Sequence, residues 1–104
     1  MSVLLEFSIF PLDRGESVSR EVSLVIDMIR SRGIDYQLTA MGTLIETDTV
    51  SDALAVVQQA ADLLHKAGCR RIYSSIKMDI REEKEKRLQG KLSAIQARIG
   101  EINT

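Results

Sequence analysis

Two hydrophobic periods alternate along this chain, and their order constrains the fold more than any other feature. Residues 3–10, Val-Leu-Leu-Glu-Phe-Ser-Ile-Phe, repeat at every second position. Val3, Leu5, Phe7 and Ile9 fall on one face and Leu4, Glu6, Ser8 and Phe10 on the other, as in a strand. Pro11 cannot donate to a ladder and is expected to end it. From Ser17 to Arg32 the period changes. Val18, Val22, Val25, Ile26 and Ile29 make one helical stripe, with Ser17 as N-cap and Gly33 just past the end. Residues 34–39 and 43–48 alternate again across Ala40-Met41-Gly42, which predicts a hairpin. Thr49, with Asp52 three residues on, has the form of a capping box and opens a second helix. Its stripe is Val50, Ala53, Leu54, Val57, Ala60, Ala61 and Leu64, and Gly68 closes it. Residues 70–80 predict a last strand, with Ile72, Ile76, Met78 and Ile80 on one face and Tyr73, Ser75, Lys77 and Asp79 on the other. A third helix is expected over 82–102. Leu88, Leu92, Ile95, Ile99 and Ile102 form its seam, and Glu82–Lys86 and Glu83–Arg87 are its i,i+4 pairs.

The order βαββαβ, with a further helix at the C-terminus, is that of an α+β ferredoxin-like sandwich on a four-stranded antiparallel sheet. Right-handed crossovers place both internal helices on one sheet face. The first strand then lies between the third and the last. The 104 residues suit one domain, 1–104, in which 82–102 is the C-terminal helix.

Charge excludes some functions. Fourteen basic and 15 acidic residues leave a formal net charge of −1, so no strong field favours nucleic acid or an acidic membrane. No apolar run approaches the ~20 residues that span a bilayer. Met1–Glu6 lacks the basic flank of a signal peptide, and the single cysteine, Cys69, cannot form an internal disulfide. Together these lead to the expectation of a cytoplasmic protein.

The sheet face away from the helices carries the chemistry. It should present Glu6, Ser8 and Phe10 from the first strand, Gln37 and Thr39 from the second, and Tyr73, Ser75, Lys77 and Asp79 from the last. If Ile45 points to the helices, Leu44 and Glu46 join this face. Such a mixture of apolar groups, hydroxyls and charges suits packing on a second subunit around a polar pocket. Plain cross-strand pairing, Glu6 with Lys77, accounts for the same pattern. His65 has no partners at metal-ligand spacing and suits a helix C-terminus. Cys69 reads as a buried, inert thiol. Ser74-Ser75 has no nearby base. No catalytic residue, metal site or cofactor is expected, and the chain reads as no enzyme.

Three segments carry a resemblance. Glu6-Phe7-Ser8-Ile9-x-Pro11, Met41-Gly42-Thr43-x-Ile45-Glu46 and Ser74-Ser75-Ile76-Lys77-x-Asp79-x-Arg81 resemble, in order and spacing, the opening strand, hairpin and closing strand of the small thiamine-binding proteins. Gly90-Lys91-Leu92 is similar to that family's terminal helix. Ala40 departs from it, since many relatives have proline there. The resemblance covers nearly the whole chain. It implies a ferredoxin-like fold, assembly with itself into dimers or tetramers, and binding of thiamine or its hydroxymethylpyrimidine part without transformation. Glu6, Ser8, Thr39, Met41, Gly42, Thr43, Glu46, Ser75 and Lys77 are the expected ligand-binding residues, taken mainly from the face argument. A carboxylate among them could accept from the aminopyrimidine and offset the thiazolium charge. A structural or regulatory oligomer without a small-molecule ligand is the alternative, and an enzyme on this scaffold a third reading.

Overall fold

A computed structural model describes residues 1–83 and 85–104. Its elements are β1 (Ser2–Pro11), α1 (Ser19–Ser31), β2 (Asp35–Leu38), β3 (Thr43–Thr47), α2 (Val50–Lys66), β4 (Ile72–Arg81) and α3 (Arg87–Ile99). The sheet is antiparallel in the order β2-β3-β1-β4. This is the ferredoxin-like sandwich with an added C-terminal helix.

The alternation in β1 decides the core. Val3, Leu5, Phe7 and Ile9 are buried, joined by Ile45 of β3, Val25 and Ile29 of α1, and Ala53, Val56, Ala60 and Leu64 of α2. Because Ile45 faces the helices, Leu44 and Glu46 do lie on the opposite face. Pro11 belongs to β1 as its last residue, opposite Ile72, so the strand ends on the proline and not before it.

Several boundaries differ from the sequence reading. α1 starts at Ser19 after Val18, not at Ser17, and no side chain caps it. Val18 is half-buried and turns inward beside β1, which leaves Ser17 outside the helix. α2 does carry its cap, Thr49 Oγ1 accepting the Asp52 N–H at 3.0 Å. Its stripe keeps Val50, Ala53, Val57, Ala60, Ala61 and Leu64 on the core side but differs at one residue. Val56 is in the core and Leu54 is exposed, because the face that meets β1 and β3 runs through Ala53, Val56, Ala60 and Leu64. β4 begins at Ile72 and runs to Arg81.

The largest difference is α3, which starts at Arg87 and ends at Ile99, shorter than 82–102. Glu82 and Glu83 lie in a turn, so the pairs Glu82–Lys86 and Glu83–Arg87 are not helical neighbours. Lys86 takes φ +52 immediately before the helix, and Gly100, at φ +88, ends it. α3 lies across the sheet face opposite α1 and α2, over the ends of β1 and β3. Leu88, Leu92 and Ile95 are half-buried there, and none of its residues is fully buried.

Candidate functional site

The hairpin between β2 and β3 is built from its own hydrogen bonds. Thr39 N–H donates to the Gly42 carbonyl at 2.8 Å, and its hydroxyl donates to the same oxygen at 2.9 Å. That hydroxyl in turn accepts the N–H groups of Met41 and Gly42, at 3.2 and 3.1 Å. Thr39 therefore organises the turn, with its hydroxyl engaged inside its own hairpin. Gly42 runs so close to β1 that a Cβ there would stand 3.1 Å from the Phe7 carbonyl oxygen, with the Glu6 Cγ next to it. Met41 caps the turn and is 90% exposed. Thr43, paired with Phe7, is buried on the helix side.

Behind this turn a hollow of about 380 Å³ opens between the end of β1, the start of α1 and the hairpin. Phe7, Ile9, Val22 and Ile26 give it apolar walls. Ser8, Thr39, Met41, Gly42 and Thr43, all expected site residues, border it, and no charged side chain does. The hollow itself was not legible in the sequence, because Val22 and Ile26 look like ordinary core positions of α1.

The remaining expected residues lie apart from it, on the open face. Glu6 sits between Leu44 and Lys77, and Ser8 lies opposite Ser75. Lys77 Nζ is 3.5 Å from Glu6 Oε1, an exposed ion pair of about 0–1 kcal/mol. Beyond Ser8 and Ser75, the Phe10 and Tyr73 rings meet at a tilt of 42° with centroids 5.7 Å apart.

Glu46 is engaged elsewhere. Its Oε2 accepts from the Ser2 hydroxyl and from the Arg87 N–H at 2.9 Å, and its Oε1 accepts the Leu88 N–H at 3.1 Å. It thus caps α3 from β3. Burial raises its pKa, but the hydrogen bonds from Ser2, Arg87 and Leu88, together with the Arg87 charge, outweigh this and hold the carboxyl below the usual glutamate value. Arg87 completes the anchor. Its guanidinium donates to Ser2 Oγ and O at 3.1 and 2.7 Å, and to Asp79 Oδ2 and O at 2.8 and 2.6 Å. Sequence reasoning missed Arg87, whose partners lie in β1, β3 and β4.

His65 lies in the last turn of α2, and Cys69 is buried at the approach to β4. Among the described residues no group of His, Cys, Asp and Glu could hold a metal ion, and no helix is long and apolar enough to cross a membrane.

Fold and hollow together define a ferredoxin-like domain with an uncharged recess at its hairpin. A family model described as "Thiamine-binding protein" matches residues 5–96, and the chain belongs to that family. A UPF0045 family protein of Mycobacterium bovis is 42% identical over 81 residues, covering 78% of each chain. A UPF0045 protein of Methanocaldococcus jannaschii is 34% identical over 93 residues, covering 89% of this chain and 91% of its own. A crystal structure of that archaeal protein superposes with a TM-score of 0.77 at 35% identity, over 90% of this chain and 95% of the other. A Thermotoga maritima protein, assigned provisionally to thiamine biosynthesis or salvage, shares the fold. Its TM-score is 0.77 at 17% identity, over 91% of this chain and 99% of the other.

Proposed function

We infer that this chain binds thiamine or a related pyrimidine or thiazole compound without transforming it, and that the pyrimidine ring occupies the hollow at the hairpin. The observation that carries this reading is the uncharged lining of the hollow in a member of the thiamine-binding family. A cationic thiazolium placed against apolar walls would lose its hydration without a counter-charge, whereas the aminopyrimidine is neutral. Met41 can cover one ring face with its polarizable thioether. Thr43 and Ser8 offer hydroxyls, and the Gly42 backbone offers polar groups at close range. The bordering side chains include no acid, base or paired nucleophile, which supports binding without turnover.

The thiazolium end then points out of the hollow. Glu6 stands beside Gly42, has no helix to cap, and holds Lys77 only loosely, so it can offset the cation. Ser75 and Lys77 continue that face, where a second subunit in a dimer or tetramer would meet the ligand's outer end.

Calorimetry with thiamine, its phosphates and hydroxymethylpyrimidine tests this. The protein should bind thiamine and the pyrimidine alike. Val22→Phe, which fills the hollow, should abolish both. Glu6→Gln should weaken thiamine more than the pyrimidine. Binding that survives Val22→Phe but fails in Glu6→Gln would move the site to the open face. No binding by the unmodified protein would leave the structural or regulatory oligomer as the reading.

A further inference from the structure

β1 outruns its neighbour β3. On the β4 side its pairing continues to Pro11, opposite Ile72, but on the β3 side it stops at Phe7, opposite Thr43. Along an antiparallel strand the N–H and C=O of one residue point to one side, and those of the next residue to the other. The Phe7 carbonyl oxygen is directed at Gly42, 3.1 Å from where a Cβ there would stand, so the Phe7 backbone faces β3. The Leu12 N–H donates to the Arg71 carbonyl at 2.8 Å, so the Leu12 backbone faces the β4 side. By alternation from either residue, the Ile9 backbone faces the β3 side, one step beyond the last pair. Pro11 shares that side, where its missing N–H leaves no ladder bond unmade.

Continuing the register would set Met41 opposite Ile9. The Met41 N–H is committed elsewhere, donating to the Thr39 hydroxyl at 3.2 Å within the hairpin. Among the described residues no strand or turn bonds the Ile9 N–H or C=O on that side. Both groups open into the hollow, which Ile9 lines although it is only 7% exposed. Backbone groups buried in this way are rarely left without a partner. A free edge of one residue, followed by a proline, is too short to take another strand. It suits a small planar group with one acceptor and one donor side by side.

We propose that the main chain of Ile9 reads the aminopyrimidine edge of the ligand and selects the amino compound over its oxo counterpart. This rests on the placement of the pyrimidine in the hollow and adds how it is recognised there. The Ile9 N–H donates to the ring nitrogen, and the Ile9 C=O accepts from the amino group on the adjacent ring carbon. The pyrimidine edge thus supplies the acceptor and the donor that an opposing residue would supply in a ladder. In the oxo counterpart the ring nitrogen carries the proton and the adjacent carbon carries the oxygen. Donor then meets donor and acceptor meets acceptor. A site of buried hydrogen-bonding groups rejects a ligand that leaves them unpaired far more strongly than an apolar wall rejects a small change of shape.

Calorimetry and NMR amide exchange on the full chain test this, with hydroxymethylpyrimidine and the same compound carrying oxygen in place of the amino group. The oxo compound should bind at least about a hundredfold more weakly. In the free protein the Ile9 amide should exchange faster than those of Phe7 and Phe10, which face β3 and β4. Saturation with hydroxymethylpyrimidine should slow exchange at Ile9 and move its amide proton downfield, and should leave Phe10 unchanged. Three results would overturn the proposal: equal affinity for the two compounds, an Ile9 amide as protected as Phe7 in the free chain, or exchange at Ile9 that saturating ligand does not slow. If hydroxymethylpyrimidine still binds and Val22→Phe still abolishes it, these results remove the role of Ile9 and leave the hollow as the binding site. No binding of hydroxymethylpyrimidine removes both.

Discussion

The carboxylate of Glu46 accepts the backbone N–H of Leu88 at 3.1 Å, and this contact from β3 sets where α3 begins. The first amides of a helix have no partner within it. Lys86 precedes α3 in the left-handed region and offers no side-chain cap. Glu46 supplies the cap instead, taking the Arg87 N–H with its second oxygen.

Glu46→Ala should therefore destabilise the protein by roughly 1–2 kcal/mol, the cost of losing a cap. Glu46→Gln keeps one acceptor and should cost less. Amide exchange should accelerate in α3 while α1 and α2 keep their protection. Equal acceleration in all three helices would show that Glu46 is not the local anchor.

The same carboxylate makes the docking of α3 sensitive to pH. Its pKa is depressed in the folded protein. A depressed carboxyl contributes stability that is complete above its unfolded pKa and is lost as pH falls through the folded value. α3 should stay docked at neutral pH and loosen only below about pH 4.3, the ordinary glutamate value. The Leu88 amide shift, followed by NMR through an acid titration, should report that step. Asp13 is also held below its usual pKa, chiefly by the Arg70 N–H, but its titration should appear at residue 70 and not at residue 88. A Leu88 titration that is unchanged in Glu46→Gln would exclude Glu46 as its source.

The sheet was legible because strand periodicity is local. The alternation of Val3 to Ile9 against Leu4 to Phe10 identified the core face of β1, and the hairpin and Thr49 cap followed from short segments. The differences arise where distant residues decide. Nothing near residue 87 marks a helix start, because the cap comes from β3. In the stripe of α2 Val56 takes the place of Leu54, because the two are equally apolar and only contact with β1 and β3 distinguishes them. Ala40-Met41-Gly42 was legible as the hairpin connection that leads into the third strand at Thr43. The hollow behind it needed the placement of α1. Glu46, read from the sequence as an open-face carboxylate, is on that face, but its hydrogen bonds go to Ser2 and α3.

Gly42 is constrained by proximity and not by its backbone angles, since it is absent from the positive-φ glycines. Gly42→Ala would push a methyl to 3.1 Å from the Phe7 carbonyl oxygen, a backbone atom held in the sheet. The hairpin should shift away from β1 at a cost of about 1–3 kcal/mol, as for overpacking elsewhere. Urea unfolding should show the loss, and the shift should weaken any ligand held in the hollow. Unchanged stability would mean that β1 yields at this point.

The seam of α3 should carry energy unevenly along its length. Leu88, Leu92 and Ile95 are half-buried against the sheet, while Ile99 is 72% exposed at the end of the helix. A fully buried leucine costs about 2–5 kcal/mol when cut to alanine, and a half-buried one less, so Leu92→Ala should cost about 1–2 kcal/mol. Ile99→Ala should fall within about 0.5 kcal/mol of the unmodified protein, as an exposed substitution does. Denaturant unfolding of both variants at low and high protein concentration checks the gradient. A cost at Ile99 that matches Leu92 and grows with concentration would show a second copy packed over the end of α3.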